Sequence, residues 1–350
     1  MNKLIYPEQV AGLKAVSVFA TLFVVLRHGQ NLHIYYNGGS PFMPILDGNV
    51  FIQESISRIT DCAIPCFFCV SGFLFFLGLN DLNEIAQKLI RRVHSLFIPF
   101  IVWNFILLAM VIAAWFILPQ IRGQLTFTYG VDWNWQWFLR KFSLNPIVGQ
   151  FWYIRTLMIF CCFSPLFLYL YKFKIISLLV FGILMLRWEP IDCTIFSSEG
   201  LVCFYFGGLI GYQQWHENMR WHRRSWWLLV AVAVLTPISL FLRLPAWAWY
   251  FRVILSVMAL IQISMYCVSF PRFREIIAAL SHYSFFLYAS HAFLLGIFAL
   301  PFRRLGVTSP MFSLMTYCIG VVSTIVFGWG TAWVIARFLP KFYSVLTGGR

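Results

Sequence analysis

Apolar runs recur along the whole chain, at about 10–27, 62–79, 96–118, 151–171, 175–187, 200–212, 226–242, 248–270, 284–300 and 312–336. A helix needs about 20 apolar residues to cross the hydrocarbon core of a bilayer, and most of these runs approach or reach that length. The runs at 175–187 and 200–212 are short for a full crossing, which leaves them tilted, broken or extended into their flanks. The pattern predicts an all-α fold, a polytopic bundle of about ten transmembrane helices. No polar block between the runs is long enough for a water-soluble domain, so residues 1–350 read as one integral-membrane domain that must itself contain the function. The first run ends in Leu26-Arg27-His28-Gly29 without a small-x-small cleavage site, as a retained span does and a secretory signal does not.

Within that first run the polar exceptions carry the information. Lys14 and His28 bracket an otherwise apolar helix. At 1.5 Å per residue they stand roughly 21 Å apart along the axis, and steps of about 100° leave them only about 40° apart around it. One helix wall thus presents a cation near one membrane surface and a titratable imidazole near the other. His28 is the candidate general base, because imidazole alone titrates near neutral pH without a large perturbation. An interfacial histidine bonded to a loop fits the same position. Lys14 suits an anion such as a phosphate, and equally suits snorkelling to lipid headgroups.

Later runs hold further exceptions. Ala63-Ile-Pro65-Cys-Phe-Phe-Cys-Val-Ser71-Gly72 is a proline-entered helix in which Gly72 permits close helix approach and Ser71 reads as a packing residue. Lys88-Leu-Ile-Arg91-Arg92 is a basic amphipathic lead into the third run, suited to lipid headgroups or to an anionic cofactor. Trp152 and Tyr153 are interfacial aromatics and candidate substrate contacts, and Arg155 follows one turn into the run, where a charge is costly. Tyr288 and His291, three residues apart on one helix, argue for a lined cavity or for a satisfied structural pair.

Composition agrees with the pattern. The chain is 61% hydrophobic and 11% charged, against about a quarter charged in soluble domains. The net charge of +14 reads as topology signal and attraction to anionic lipid; nucleic acid would need an aqueous basic surface that the chain lacks. With the N-terminus inside, 15 of the 26 Lys and Arg, from Lys3 and Lys14 through Arg91 and Arg92 to Arg350, fall on inner segments. Both termini are then cytoplasmic. The connections 28–61 and 119–150, with Asp47, Glu54, Asp61 and Asp132, face outward. Nine cysteines, Cys193 among them, lie mostly in apolar runs, and Cys62, Cys66 and Cys69 share a helix face as small hydrophobes rather than metal ligands.

Taken in order, these segments resemble the acyltransferase 3 family of bacterial membrane O-acyltransferases, along nearly the whole chain. The resemblance runs from the Lys14–His28 helix through Ile64–Leu74, Lys88–Pro99 and Phe151–Leu157 to Phe204–Gly211 and Ser284–His291. The family's first helix carries an arginine, about ten intervening residues, then the essential histidine. Here lysine replaces arginine and the histidine comes about one turn late. The resemblance implies about ten spans in a bacterial cytoplasmic (inner) membrane and transfer of an acyl group, often acetyl, from a cytosolic thioester to a hydroxyl of a glycan or lipid. No cofactor is implied beyond acyl-CoA as donor, and no metal. The partners expected are membrane lipid and a surface polysaccharide or its lipid-linked precursor. In that scheme Lys14, with Arg91 or Arg92, meets the donor's phosphates. His28 deprotonates the acceptor hydroxyl or carries the acyl group briefly, while Tyr288, His291 or Arg155 polarises the carbonyl or steadies the oxyanion. A transporter or flippase for a glycan or amphiphile would also place His, Arg and Tyr inside the bundle, although the chain shows no repeated halves.

Overall fold

The computed structural model describes residues 6–32, 48–123, 126, 130–132, 134–143, 145–186, 196–215, 226–241, 245–305 and 309–349. Lys3, Asp47, Cys193 and Arg350 lie outside the described residues. The first half of the chain forms α1 (Pro7–His28), α2 (Gly48–Thr60), α3 (Ala63–Phe76), α4 (Leu82–Arg92), α5 (Ile98–Ile117), α6 (Trp135–Phe142), α7 (Trp152–Cys162) and α8 (Ser164–Tyr171). The second half forms α9 (Lys174–Leu186), α10 (Ser198–Tyr212), α11 (Trp226–Phe241), α12 (Ala246–Val268), α13 (Pro271–Ser281), α14 (Ser284–Leu305), α15 (Pro310–Phe338) and α16 (Pro340–Thr347). Among the described residues the fold is all-helical, and each apolar run predicted above has a helix within it.

Among the described residues, 6 helical segments are long and apolar enough to cross a membrane. They are Pro7–His28, Gly48–Phe76, Leu82–Ile117, Trp247–Val268, Ser284–Phe302 and Pro310–Phe338. A seventh is added if α7 and α8, bent by 56° at their junction, form one span. Pro165 explains that bend, since it cannot donate to the preceding turn. A similar cause acts at Val93–Phe97, where the backbone widens into a π turn just before Pro99. A regular helix would drive the proline ring into the carbonyl of Ser95.

α1 is the hub, packed by α2, α3, α12, α13, α14 and α15. Its close neighbour α3 is clamped to α10 by glycines. A Cβ on Gly72 would collide with the carbonyl of Phe204, and one on Gly207 with the carbonyl of Cys69. Both obstacles are backbone, so the helices touch main chain to main chain, the close approach that small residues permit in lipid. Cys62, Cys66 and Cys69 are buried in this part of the core.

The second half of the connection 28–61 is a helix, α2. The buried face of α2 is polar: Asn49, Gln53, Ser57 and Thr60. Gln53 donates to Asn31 (2.9 Å) and to Asn49 (2.9 Å), while Asn31 donates to Thr316 (2.8 Å) and to the Ser313 carbonyl (2.9 Å). This closed network ties the end of α1 and α2 to α15 and satisfies amides that would be costly to bury alone.

Candidate functional site

Two polar-lined cavities along α1 hold most of the sequence candidates. The first, about 600 Å³, is lined by Lys14, Ser17 and Thr21 of α1 together with Ser71, Arg92, Tyr153 and Tyr288. The second, about 320 Å³, is lined by Val24, Arg27 and His28 of α1 together with Asp61, Gln150, Trp152, Glu199, Trp249 and Tyr288. Lys14 and His28 therefore share one helix wall, as the helical period requires, and open into different chambers. Tyr288 walls both.

Tyr288 is held in place from several sides. Its hydroxyl donates to the Gln150 carbonyl (2.6 Å), and the Gln150 side-chain amide donates back to the Ala289 carbonyl (2.8 Å). Its ring stacks at 6.2 Å on Phe151 and meets the edges of Phe67 at 6.0 Å and Tyr153 at 6.0 Å. These rings form an aromatic partition between the chambers. The Tyr288 hydroxyl is engaged by the Gln150 carbonyl, and the ring faces both chambers.

The rim of the His28 cavity is an ion network. Asp61 accepts from Arg27, which also donates to Ser57, and from Arg252 at 3.3 Å. Arg252 is buried, donates to the Arg58 carbonyl (3.2 Å), and lays its guanidinium 4.2 Å from the centroid of the Trp249 ring. Arg27, next to the histidine, is thereby anchored to α2 and the residue following it, which fixes the end of α1.

The remaining sequence candidates divide. His291 is fully buried and its ring stands 5.1 Å from that of His28. Arg92 lines the Lys14 cavity, with its guanidinium 5.8 Å from the Phe75 ring, whereas Arg91 is exposed and lines neither chamber. Trp152 lines the His28 cavity and Tyr153 the Lys14 cavity. Arg155 is buried in α7 and lines neither. Gly72 makes the close helix contact expected of the Ser71-Gly72 pair. Ser71 lines the Lys14 cavity with its hydroxyl 3.4 Å from that of Tyr153.

Gln150, Glu199, Trp249 and Arg252 were not among the sequence candidates. Arg252 carried a readable signal, a charge inside the apolar run 248–270, but its partner lies 191 residues away.

The helix count and paired chambers define a class: an integral membrane protein whose interior is built for polar chemistry. The family model described as an acyltransferase domain, that of the acyltransferase 3 family, matches residues 10–333. The chain belongs to that family and is a membrane acyltransferase of the O-acyltransferase type. No curated protein and no solved structure gives a significant match.

Proposed function

We propose that the protein transfers an acyl group, acetyl in the simplest case, from cytosolic acyl-CoA to a hydroxyl of a surface polysaccharide or its lipid-linked precursor in a bacterial inner membrane. In this reading the chain crosses about ten times, with α9, α10 and α11 as the short crossings, and both termini are cytoplasmic. The Lys14 cavity receives the donor. Lys14 and Arg92 meet its phosphates as charged donors, and the thioester lies deeper, toward Tyr288. The acceptor hydroxyl enters the His28 cavity beside Trp152.

His28 takes the hydroxyl proton, and the acceptor oxygen forms a bond to the thioester carbonyl carbon. The carbon–sulfur bond breaks, and the departing thiolate receives the proton from His28. The observation that carries the reading is that the cation-lined and imidazole-lined chambers share Tyr288 as a wall, so donor and acceptor would meet at the edge of one ring.

Mass spectrometry of surface glycans from cells with and without the protein tests it. Acyl esters present only with the protein support the reading. Identical ester content overturns it.

A further inference from the structure

The buried histidine beside the proposed base has a defined tautomer. His291 Nδ1 lies 2.6 Å from the Tyr288 carbonyl oxygen. A carbonyl only accepts, so Nδ1 carries a proton, and in the neutral ring Nε2 is left as a bare lone pair. That nitrogen is buried and has no hydrogen-bond partner in the protein. Such an atom inside a packed helix bundle calls for an explanation.

The ring that faces His291 is that of His28, with centroids 5.1 Å apart and planes inclined by 50°. The structure has no bond between the two rings, but at this separation a turn of the His28 side chain that aims one nitrogen at Nε2 brings the pair to roughly 2.8 Å, within hydrogen-bond reach. Two carboxylates line the His28 cavity: Asp61, already engaged by Arg27 and Arg252, and Glu199 in the first turn of α10. Among the described residues neither is hydrogen-bonded or ion-paired to His28, so the job a carboxylate often has, holding the far nitrogen of a catalytic imidazole, falls to neither in this structure.

We infer that His291 is a positioning residue for His28: its Nε2 accepts a hydrogen bond from one ring nitrogen of His28 and so turns the other, unprotonated, toward the cavity. His291 makes and breaks no covalent bond. When His28 takes the acceptor's proton, His291 holds the second N–H of the imidazolium until the proton passes to the leaving thiolate. The backbone bond at Nδ1 holds the His291 ring in place while His28 turns to it.

The inference rests on His28 being the base of an acyl-CoA-dependent transfer, and the test separates the two. Inside-out membrane vesicles from producing cells, which retain the native acceptor, are given radiolabelled acetyl-CoA at varied concentration. Incorporation into base-labile ester is measured per amount of protein for wild type, His291→Leu and His291→Gln. His291→Leu is expected to lower kcat by about 100-fold, the low end of what a positioned base contributes. The KM for acetyl-CoA should stay within about twofold, since no donor contact is lost. His291→Gln offers an amide oxygen as acceptor and should recover at least about tenfold of the loss. Thermal unfolding of both variants should match wild type.

Wild-type kcat in His291→Leu overturns the inference, as do equal losses in the two variants or a loss that accompanies earlier unfolding. Wild-type vesicles that incorporate nothing overturn the transfer reading itself, and this inference with it.

Discussion

Asp61→Asn keeps the shape of the side chain and removes the charge that two arginines share. The two halves of that network differ in weight. Arg27 has a side chain that is 44% exposed, and an exposed pair contributes about 0–1 kcal/mol. Arg252 is 1% exposed against 8% for Asp61, and stripping the partner from a buried ion costs about 3–5 kcal/mol. The Arg252 half therefore sets the size of the effect. Trp249 lies under the same guanidinium at 4.2 Å and retains about 0.5–2 kcal/mol of cation–π contact. That places the expected loss near the lower bound, about 3 kcal/mol. The assay is unfolding of the purified protein in mixed micelles by titration with dodecyl sulfate, followed by tryptophan fluorescence. The double variant Asp61→Asn/Arg252→Met removes both charges and should recover most of the lost stability, because the penalty comes from the orphaned ion. A single variant as stable as wild type would refute the reasoning, and so would a double variant no more stable than the single.

Two further outcomes follow from the same structure. Gly207→Ala should lower stability by about 1–3 kcal/mol in that unfolding assay, because the new methyl meets the Cys69 main chain and cannot be relieved by a rotamer change; unchanged stability would mean α3 and α10 are not in main-chain contact. Lys14→Ala should raise the KM for acetyl-CoA about tenfold with kcat held, since one charge-assisted contact of about 1.5–3 kcal/mol is lost. Lys14→Arg should stay near wild type, and a KM equal to wild type in Lys14→Ala would take Lys14 out of the donor site.

How much of this was legible in the chain depended on whether the signal was local. The placement of Lys14 and His28 on one wall follows from the helical period alone, and the two cavities along α1 keep that register. Gly72 was readable as a close-approach residue because a small residue in an apolar run has few other uses. α2 was hidden by an inversion of the usual rule. Its buried face is polar, with Asn49 and Gln53 turned toward Asn31 and Ser313, so an apolar-face search passes over it. The pairs that shape the His28 cavity are long-range, Asp61 with Arg252 and His28 with His291, and a single sequence carries no record of which distant residues meet. Arg155 shows the converse. A charge in an apolar run signals importance, yet here it is buried away from both chambers.

The most direct measurement is incorporation of label from acetyl-CoA into ester, in inside-out vesicles holding wild-type protein or His28→Ala at equal abundance. The account predicts labelled ester with wild type and loss of at least about 100-fold in the variant. Undiminished labelling by His28→Ala would contradict it.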